Sequence, residues 1–182
     1  MIIFEKISPE NTPIAIKLAL DKAKKMETDI ILASSTGASA FAALELAVET
    51  GYTGRIIAIT SVWSAGKNRL SDENRQKLTD AGVILVTAAH TLSGVERSLS
   101  GKFGGVYPVE IMAHTLRLFS EGVKVCFEIG AMALDAGAMR EPRAVVILGG
   151  TGVGCDTACV MTPGYSAKIF DTRIHEILCK PY

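Results

Sequence analysis

The sequence predicts an α/β fold with three layers, α/β/α, around a mostly parallel sheet. Short apolar runs rich in β-branched residues alternate with longer segments whose apolar residues recur at helical spacing. This alternation is typical of a sheet with helices on both faces, because each crossover starts the next strand in the same direction. The chain has 182 residues and no segment that resembles a linker. Residues 1–182 are therefore predicted to form a single domain.

The first half of the chain is predicted to alternate helix and strand with clear boundary residues. Thr12 is expected to cap a helix that has Pro13 as its first residue, and Ser71 caps a later helix that ends at Gly82. The predicted elements are a helix from Thr12 to Met26, a strand over 30–33, a helix over 40–49, a strand over 55–60, a helix from Ser71 to Gly82 and a strand over 83–87.

The second half is predicted to continue the alternation and then to change character. The predicted elements are an amphipathic helix from Pro108 to Gly122, a strand over 124–128, a short alanine-rich helix that ends near Ala138 and a doubly buried strand over 144–148. Residues 158–161 and 168–180 instead alternate apolar and polar side chains, as antiparallel or edge strands do. The sheet is therefore expected to be mixed at its C-terminal end.

The composition and charge of the sequence argue against nucleic acid or a membrane as a partner. Lys plus Arg and Asp plus Glu are 19 each, so no basic field attracts nucleic acid or an anionic membrane. The apolar runs are too short to span a bilayer, and the N-terminus lacks the features of a secretory signal, so a soluble, cytoplasmic protein is expected. The four cysteines suit reduced thiols, and their spacing predicts no metal site. The sequence does not determine whether the protein forms a homo-oligomer.

The most informative motif is a hydroxyl-rich turn between the strand over 30–33 and the helix over 40–49. It contains Ser34, Ser35, Thr36, Gly37 and Ser39. Free backbone N–H groups and the positive end of the helix dipole meet at such a turn, and glycine lets a ligand approach the backbone closely. The turn therefore predicts a phosphate site. The competing interpretation is that the hydroxyls only cap the helix.

Two further loops follow predicted strands. The loop over 61–67 contains Ser61, Trp63 and Lys67, and Trp63 suits either stacking on a planar ring or ordinary packing. The segment over 88–107 is glycine-rich and predicts a mobile lid or a short helix followed by a flexible turn. His90 opens this segment at the expected ligand edge, where it is either a titrating site residue or a structural hydrogen-bonding residue.

The densest glycine cluster, over 149–157, follows the strand over 144–148. It departs from the dinucleotide and P-loop patterns, because Cys155 stands where each pattern needs another residue. Its backbone amides still suit close contact with a ligand, and Asp156 suits a hydroxyl or a ring N–H better than a phosphate. A tight turn between strands is the alternative. The candidate ligand-binding residues of this loop are Gly150, Thr151, Gly152, Gly154, Asp156 and Thr157.

These residues resemble a known family. The segment over 31–40 resembles the start of the C-terminal domain of pyruvate kinase, where a turn rich in Ser and Thr grips a phosphate of the activator. The segments over 150–158 and 177–181 are similar to those of stand-alone, mainly archaeal proteins of the pyruvate kinase C-terminal-domain-like family, and this similarity covers nearly the whole chain. The resemblance implies a three-layer α/β/α fold, an unassigned activity and flavin mononucleotide (FMN) as a ligand.

Carried over by position, the family's phosphate turn falls on Ser35, Thr36, Gly37 and Ser39. The chain lacks the catalytic barrel of pyruvate kinase, which argues against pyruvate kinase activity. We therefore expect a domain that binds a phosphorylated small molecule, FMN, at the carboxyl edge of the sheet, with a flavin-dependent redox role if it is an enzyme. The alternative is a non-catalytic sensor or regulatory module for a sugar phosphate or nucleotide. A phosphate-ester enzyme is disfavoured, because the sequence shows no acidic cluster for Mg²⁺.

Overall fold

The computed structural model describes all residues, 1–182. The strands are Ile2–Phe4 (β1), Ile30–Ala33 (β2), Ile56–Thr60 (β3), Ile84–Thr87 (β4), Val145–Gly149 (β5), Thr157–Thr162 (β6) and Arg173–Pro181 (β7). The helices are Asn11–Lys25 (α1), Ala38–Thr50 (α2), Asp72–Asp80 (α3), Val95–Phe103 (α4), Pro108–Arg117 (α5) and Glu121–Asp135 (α6). A 3₁₀ helix covers Ser166–Asp171. None of the helices has the length and apolarity needed to cross a membrane.

All seven strands belong to one sheet with the order β1-β7-β6-β5-β2-β3-β4. Only β6 runs against its neighbours, pairing antiparallel with β5 and with β7, while every other pair is parallel. The prediction of a mostly parallel sheet that is mixed at its C-terminal end is confirmed. Strand β1 was not predicted, because three residues are too few to show a period of two.

Apolar side chains on both faces of the sheet explain why helices cover both. In β2, Ile30 and Leu32 pack into the core on the side of α1 and α2, and Ile31 packs into the core under α6. In β5, Val146 and Ile147 divide between the two cores in the same way. This follows from the period of two along a strand, and it makes the central strands continuously apolar.

One predicted strand is wrong. Residues 124–128 form part of α6, a buried helix whose N-cap is Ser120. The prediction failed because Gly122 was taken as the end of the preceding helix. Gly122 instead lies in the first turn of α6, where an added Cβ would stand 2.0 Å from Oγ1 of Thr157. The glycine is there for close approach to β6, and the predicted alanine-rich helix is the second half of α6.

The segment over 88–107 contains α4, which supports the prediction of a short helix, and α5 then begins at Pro108 as predicted. Helix α5 lies against α6 and does not touch the sheet extensively. Consequently α6 alone covers the second face of the central strands, and its N-terminus lies near the carboxyl edge of the sheet.

A charged cluster closes the opposite, amino edge of the sheet. Asp29 precedes β2, and its carboxylate accepts hydrogen bonds from the guanidinium groups of Arg55 and Arg143. Burial alone would raise the pKa of Asp29, but the hydrogen bonds from Arg55 and the charge of Arg143 hold this pKa below its usual value. This carboxylate therefore stabilises the fold while it is ionised.

We expect Asp29→Asn to lower the free energy of unfolding at neutral pH by about 1–3 kcal/mol, because a charged acceptor of several hydrogen bonds is lost. A lowered folded-state pKa means that this contribution is complete above the unfolded-state pKa of about 4 and disappears as the pH falls through the folded-state value. Urea unfolding across this range checks the sign. A difference between wild type and variant that grows on acidification would contradict it.

Candidate functional site

A cavity of about 590 Å³ opens at the carboxyl edge of the sheet. It lies between the residues that follow β2 and those that follow β5, which are neighbouring strands. From β2 the chain continues to β3 and β4 on one side, whereas β5 pairs on the other side of β2. The gap between β2 and β5 is therefore a topological switch point, where doubly wound sheets form ligand crevices. The volume is in the range of small-molecule sites.

The turn that follows β2 presents unpaired backbone donors. Its backbone is anchored by the N–H of Ser34, which donates to the carbonyl of Ile59, and by Oγ of Ser34, which accepts from the N–H of Ala40 at 3.1 Å. Each backbone N–H from 35 to 39 lacks an acceptor within the protein. Gly37 is the N-cap of α2 with φ +95°, a conformation that favours glycine. The start of α2 thus carries unsatisfied N–H groups beside the cavity.

The loop that follows β5 faces this turn across the cavity. Gly150, Gly152 and Gly154 line the cavity, and the backbone N–H groups over 150–155 lack acceptors within the protein. A Cβ on Gly150 would stand 1.7 Å from the carbonyl oxygen of Gly154, so the loop closes on itself too tightly for any side chain there. The cavity is therefore flanked by two backbone segments rich in free donors.

Asp156 lies beneath this loop and is directed away from the cavity. Its side chain is 1 % exposed, and its carboxylate accepts from the hydroxyls of Thr151 at 2.6 Å and Thr157 at 2.8 Å. Thr157 is fully buried, and neither Asp156 nor Thr157 lines the cavity. We therefore assign both residues to positioning the loop, in place of the expected contact between Asp156 and a ring N–H or hydroxyl of the ligand.

Replacement of Asp156 by Ala is expected to lower the free energy of unfolding by about 1–3 kcal/mol, because the hydroxyls of buried Thr157 and half-buried Thr151 lose their acceptor. The ligand affinity should fall with it, since Thr151 then no longer holds the loop. Thermal unfolding and calorimetric titration check the two effects. Unchanged stability would show that the carboxylate does not order the loop.

His90 reaches the cavity from the loop after β4, and a buried carboxylate holds it there. Its Nδ1 lies 3.2 Å from Oε2 of Glu128, a side chain with no exposed surface. The same Oε2 accepts from Nζ of Lys124, and Oε1 accepts from the backbone N–H of Leu92 at 2.9 Å. Burial by itself raises the pKa of Glu128, but the hydrogen bonds from His90 and Lys124 outweigh it and leave this pKa below its usual value.

Two further charged side chains line the cavity. Arg69 is exposed and forms no ion pair or hydrogen bond with another residue, so its guanidinium is available to an anion. Glu121 is paired with Arg117 at the start of α6. Cys155 lies nearby, where burial raises the pKa of its thiol to about 12. This cysteine is therefore protonated at neutral pH and is not a nucleophile.

The structure brings most of the predicted site residues around one cavity. Those that line it are Ser34, Ser35, Thr36, Ser39, His90, Gly150, Thr151, Gly152 and Gly154. Gly37 lies in the same turn without lining the cavity. Ser61, Trp63 and Lys67 also follow a strand at this edge, but they do not line the cavity, and Trp63 is 55 % exposed. Within this loop, Ser64 and Lys67 pair with each other in an isolated antiparallel bridge.

Sequence reasoning missed Arg69, Glu121 and Val125, which also line the cavity. Glu121 and Val125 were missed because Glu121 was predicted at the end of the helix from Pro108 to Gly122 and Val125 in a strand over 124–128. Ser120 followed by Glu121 is an N-cap with an acidic first turn, and Lys124 with Glu128 has the spacing of a helical ion pair. That signal was in the sequence. The position of Arg69 depends on the path of the loop between β3 and α3, and no local sequence pattern predicts that path.

Comparison with known proteins gives no functional information. No family model matches the chain. It is similar to O-ureido-L-serine synthase at 17% identity and a TM-score of 0.32, over 72% of this chain and 49% of that one. It is also similar to NMN synthetase from Francisella tularensis at 20% identity and a TM-score of 0.33, over 77% and 54%. The chain thus spans about half the length of each, and similarities this weak support no argument.

Proposed function

We propose that this chain binds a phosphorylated small molecule in the cavity between β2 and β5, and that this molecule is FMN. The observation that carries the proposal is the run of backbone N–H groups over 35–39, which has no acceptor within the protein. Donors of this kind at a helix N-terminus are a favourable site for a phosphate group. The assignment to FMN rests on the resemblance to the pyruvate kinase C-terminal-domain-like family.

The charges around the cavity support a phosphate in the turn that follows β2. Arg69 is the cation among the lining residues, and it has no carboxylate partner. The acidic lining residue Glu121 is paired with Arg117, and Asp156 is buried beneath the loop with its oxygens engaged. A phosphate at the turn over 35–39 can therefore accept charge-assisted hydrogen bonds from the backbone N–H groups, and Arg69 is the unpaired cation of the same cavity.

The rest of the cavity fits a larger group attached to that phosphate. Val125 and Val153 give it apolar lining, and the Cβ position of Gly152 in the opposite loop has no protein atom within 4 Å. When bound, FMN supplies hydride and electron transfer. The residues of this chain hold the phosphate, shape the space for the ring and place His90 at its border.

We expect Thr36→Glu to weaken FMN binding about tenfold or more, or ~1.4 kcal/mol, because a carboxylate beside the free N–H groups repels the phosphate. Thr36 is exposed and its hydroxyl makes no hydrogen bond, so the fold should tolerate the change. Riboflavin lacks the phosphate, and its affinity should change little. Calorimetric titration of both compounds measures the difference.

The matched control is Thr53→Glu, which adds the same charge at an exposed threonine of the opposite sheet edge. It should leave FMN binding as in the wild type. Equal losses for FMN and riboflavin in Thr36→Glu would contradict the phosphate assignment. Wild-type protein that binds a sugar phosphate or a nucleotide but not FMN would favour a regulatory module over a flavoprotein.

A further inference from the structure

The side chains of Lys124, Glu128 and His90 are hydrogen-bonded in series and lead from the buried face of α6 to the cavity. Glu128 has no exposed surface, the side chain of Lys124 is 6 % exposed, and that of His90 is 41 % exposed. The three groups therefore run from the interior to the ligand space. An isolated buried charge is costly, and here the ammonium of Lys124 compensates the carboxylate of Glu128.

The contact with Glu128 determines which ring nitrogen of neutral His90 carries the hydrogen. An ionised carboxylate only accepts hydrogen bonds, so the Nδ1 of His90 that faces Glu128 carries a hydrogen. The other ring nitrogen, Nε2, has no partner within the protein. In neutral His90 this nitrogen is an acceptor, and the imidazole lines the cavity.

Glu128 also fixes the backbone beside His90. Its second oxygen accepts from the N–H of Leu92, and the carbonyl of His90 accepts from the N–H groups of Ser93 and Gly94. Glu128, on the buried helix α6, thus holds both the ring of His90 and the main chain at Leu92. A base that a third group holds in a fixed orientation is the arrangement found in proton-transfer sites.

We propose that the cavity is a proton-transfer site, in which His90 is the general base and Glu128 is its positioning residue. The substrate is a compound that has an acidic O–H, or a C–H next to a carbonyl, and that lies in the cavity beside the phosphorylated ligand. The step moves that proton to Nε2 and leaves the bonding pair on the substrate. The imidazolium that forms has its Nδ1–H directed at Glu128, and the new anion faces the N–H groups over 150–154.

The inference rests on the proposed binding of a ligand in this cavity, but its first test needs no ligand. Long-range ¹H–¹⁵N correlation of the histidine rings identifies the tautomer of His90, assigned by its absence in His90→Gln. We expect the Nδ1–H tautomer in the neutral ring and loss of this preference in Glu128→Gln. The charged groups that face the ring are Lys124 and Glu128 from α6, and Arg69 and Glu121 from the cavity wall. An Nε2–H tautomer in the wild type would overturn the proposal.

The second test asks whether Nε2 faces the ligand space. Diethyl pyrocarbonate acylates unprotonated imidazole, and peptide mass mapping separates His90 from His114 and His175. We expect saturating FMN to slow the modification of His90 at least fivefold and to leave that of His114 unchanged. FMN that binds without protecting His90 overturns the placement of the base. If FMN does not bind, the proposed function fails, and the tautomer measurement still tests whether Glu128 leaves Nε2 of His90 as an acceptor.

Discussion

Glu128→Met is expected to destabilise the protein by about 3–5 kcal/mol, because it leaves the ammonium of Lys124 buried without its counter-charge. The side chain of Lys124 is 6 % exposed and that of Glu128 has no exposed surface, so solvent cannot take over the lost interaction. The hydrogen bonds to His90 and Leu92 are lost at the same time. Urea unfolding followed by circular dichroism gives the free energy of unfolding.

The double variant Lys124→Met with Glu128→Met separates the effect of the unpaired buried charge from that of the lost hydrogen bonds to His90 and Leu92. Because both charges are then removed, we expect the double variant to be more stable than Glu128→Met alone. The surface control is Glu73→Met, which breaks the exposed pair with Lys77 at the same spacing in α3 and should change stability little. A double variant no more stable than the single one would show that the charge is not the cause.

Gly150→Ala is the second change from which we expect a large effect. Its Cβ would stand 1.7 Å from the carbonyl oxygen of Gly154, and backbone cannot move aside as a flexible side chain does. The loop must therefore open, at a cost of about 1–3 kcal/mol. Its N–H groups then leave the cavity, so FMN affinity should fall together with the melting temperature.

Gly101→Ala provides the matched control for this prediction. Gly101 lies in α4 with an ordinary φ, and an added Cβ there meets nothing within 4 Å. This substitution should be neutral or stabilising by up to about 1 kcal/mol, because alanine favours the helix. If Gly150→Ala behaved like Gly101→Ala, the closed loop would not be needed for the fold or for the ligand.

The fold was largely predictable because its strongest signals are local. Pro108 is the first residue of α5 as predicted, and the apolar runs of β2, β3 and β5 are long enough to show burial on both faces. The predicted start of α1 is wrong by two residues, because the helix begins at Asn11 and Thr12 does not cap it. The error at 124–128 arose from reading Gly122 by its usual role as a helix terminator. Its actual role depends on Thr157, which is distant in sequence and adjacent only in the folded chain.

The site was predictable to the extent that topology brings loops together. Parallel strands place the segments after β2, β4 and β5 at one edge, which is why Thr36, His90 and Gly152 meet. The direction of a single side chain does not follow from topology. Asp156 turns inward to two threonines, and Glu128 reaches His90 from a helix that the sequence did not predict.

A titration of ¹⁵N-labelled protein with FMN, followed through the backbone amide signals, shows which N–H groups bind the phosphate. If the phosphate binds the free N–H groups, the largest shifts must occur at 35–39, with further shifts at 150–154. A second cavity of about 380 Å³, lined in part by Leu44, Tyr52 and Val83 at the amino edge, is the internal comparison and should stay unperturbed. Shifts confined to that second cavity, or none at millimolar FMN, would contradict the account.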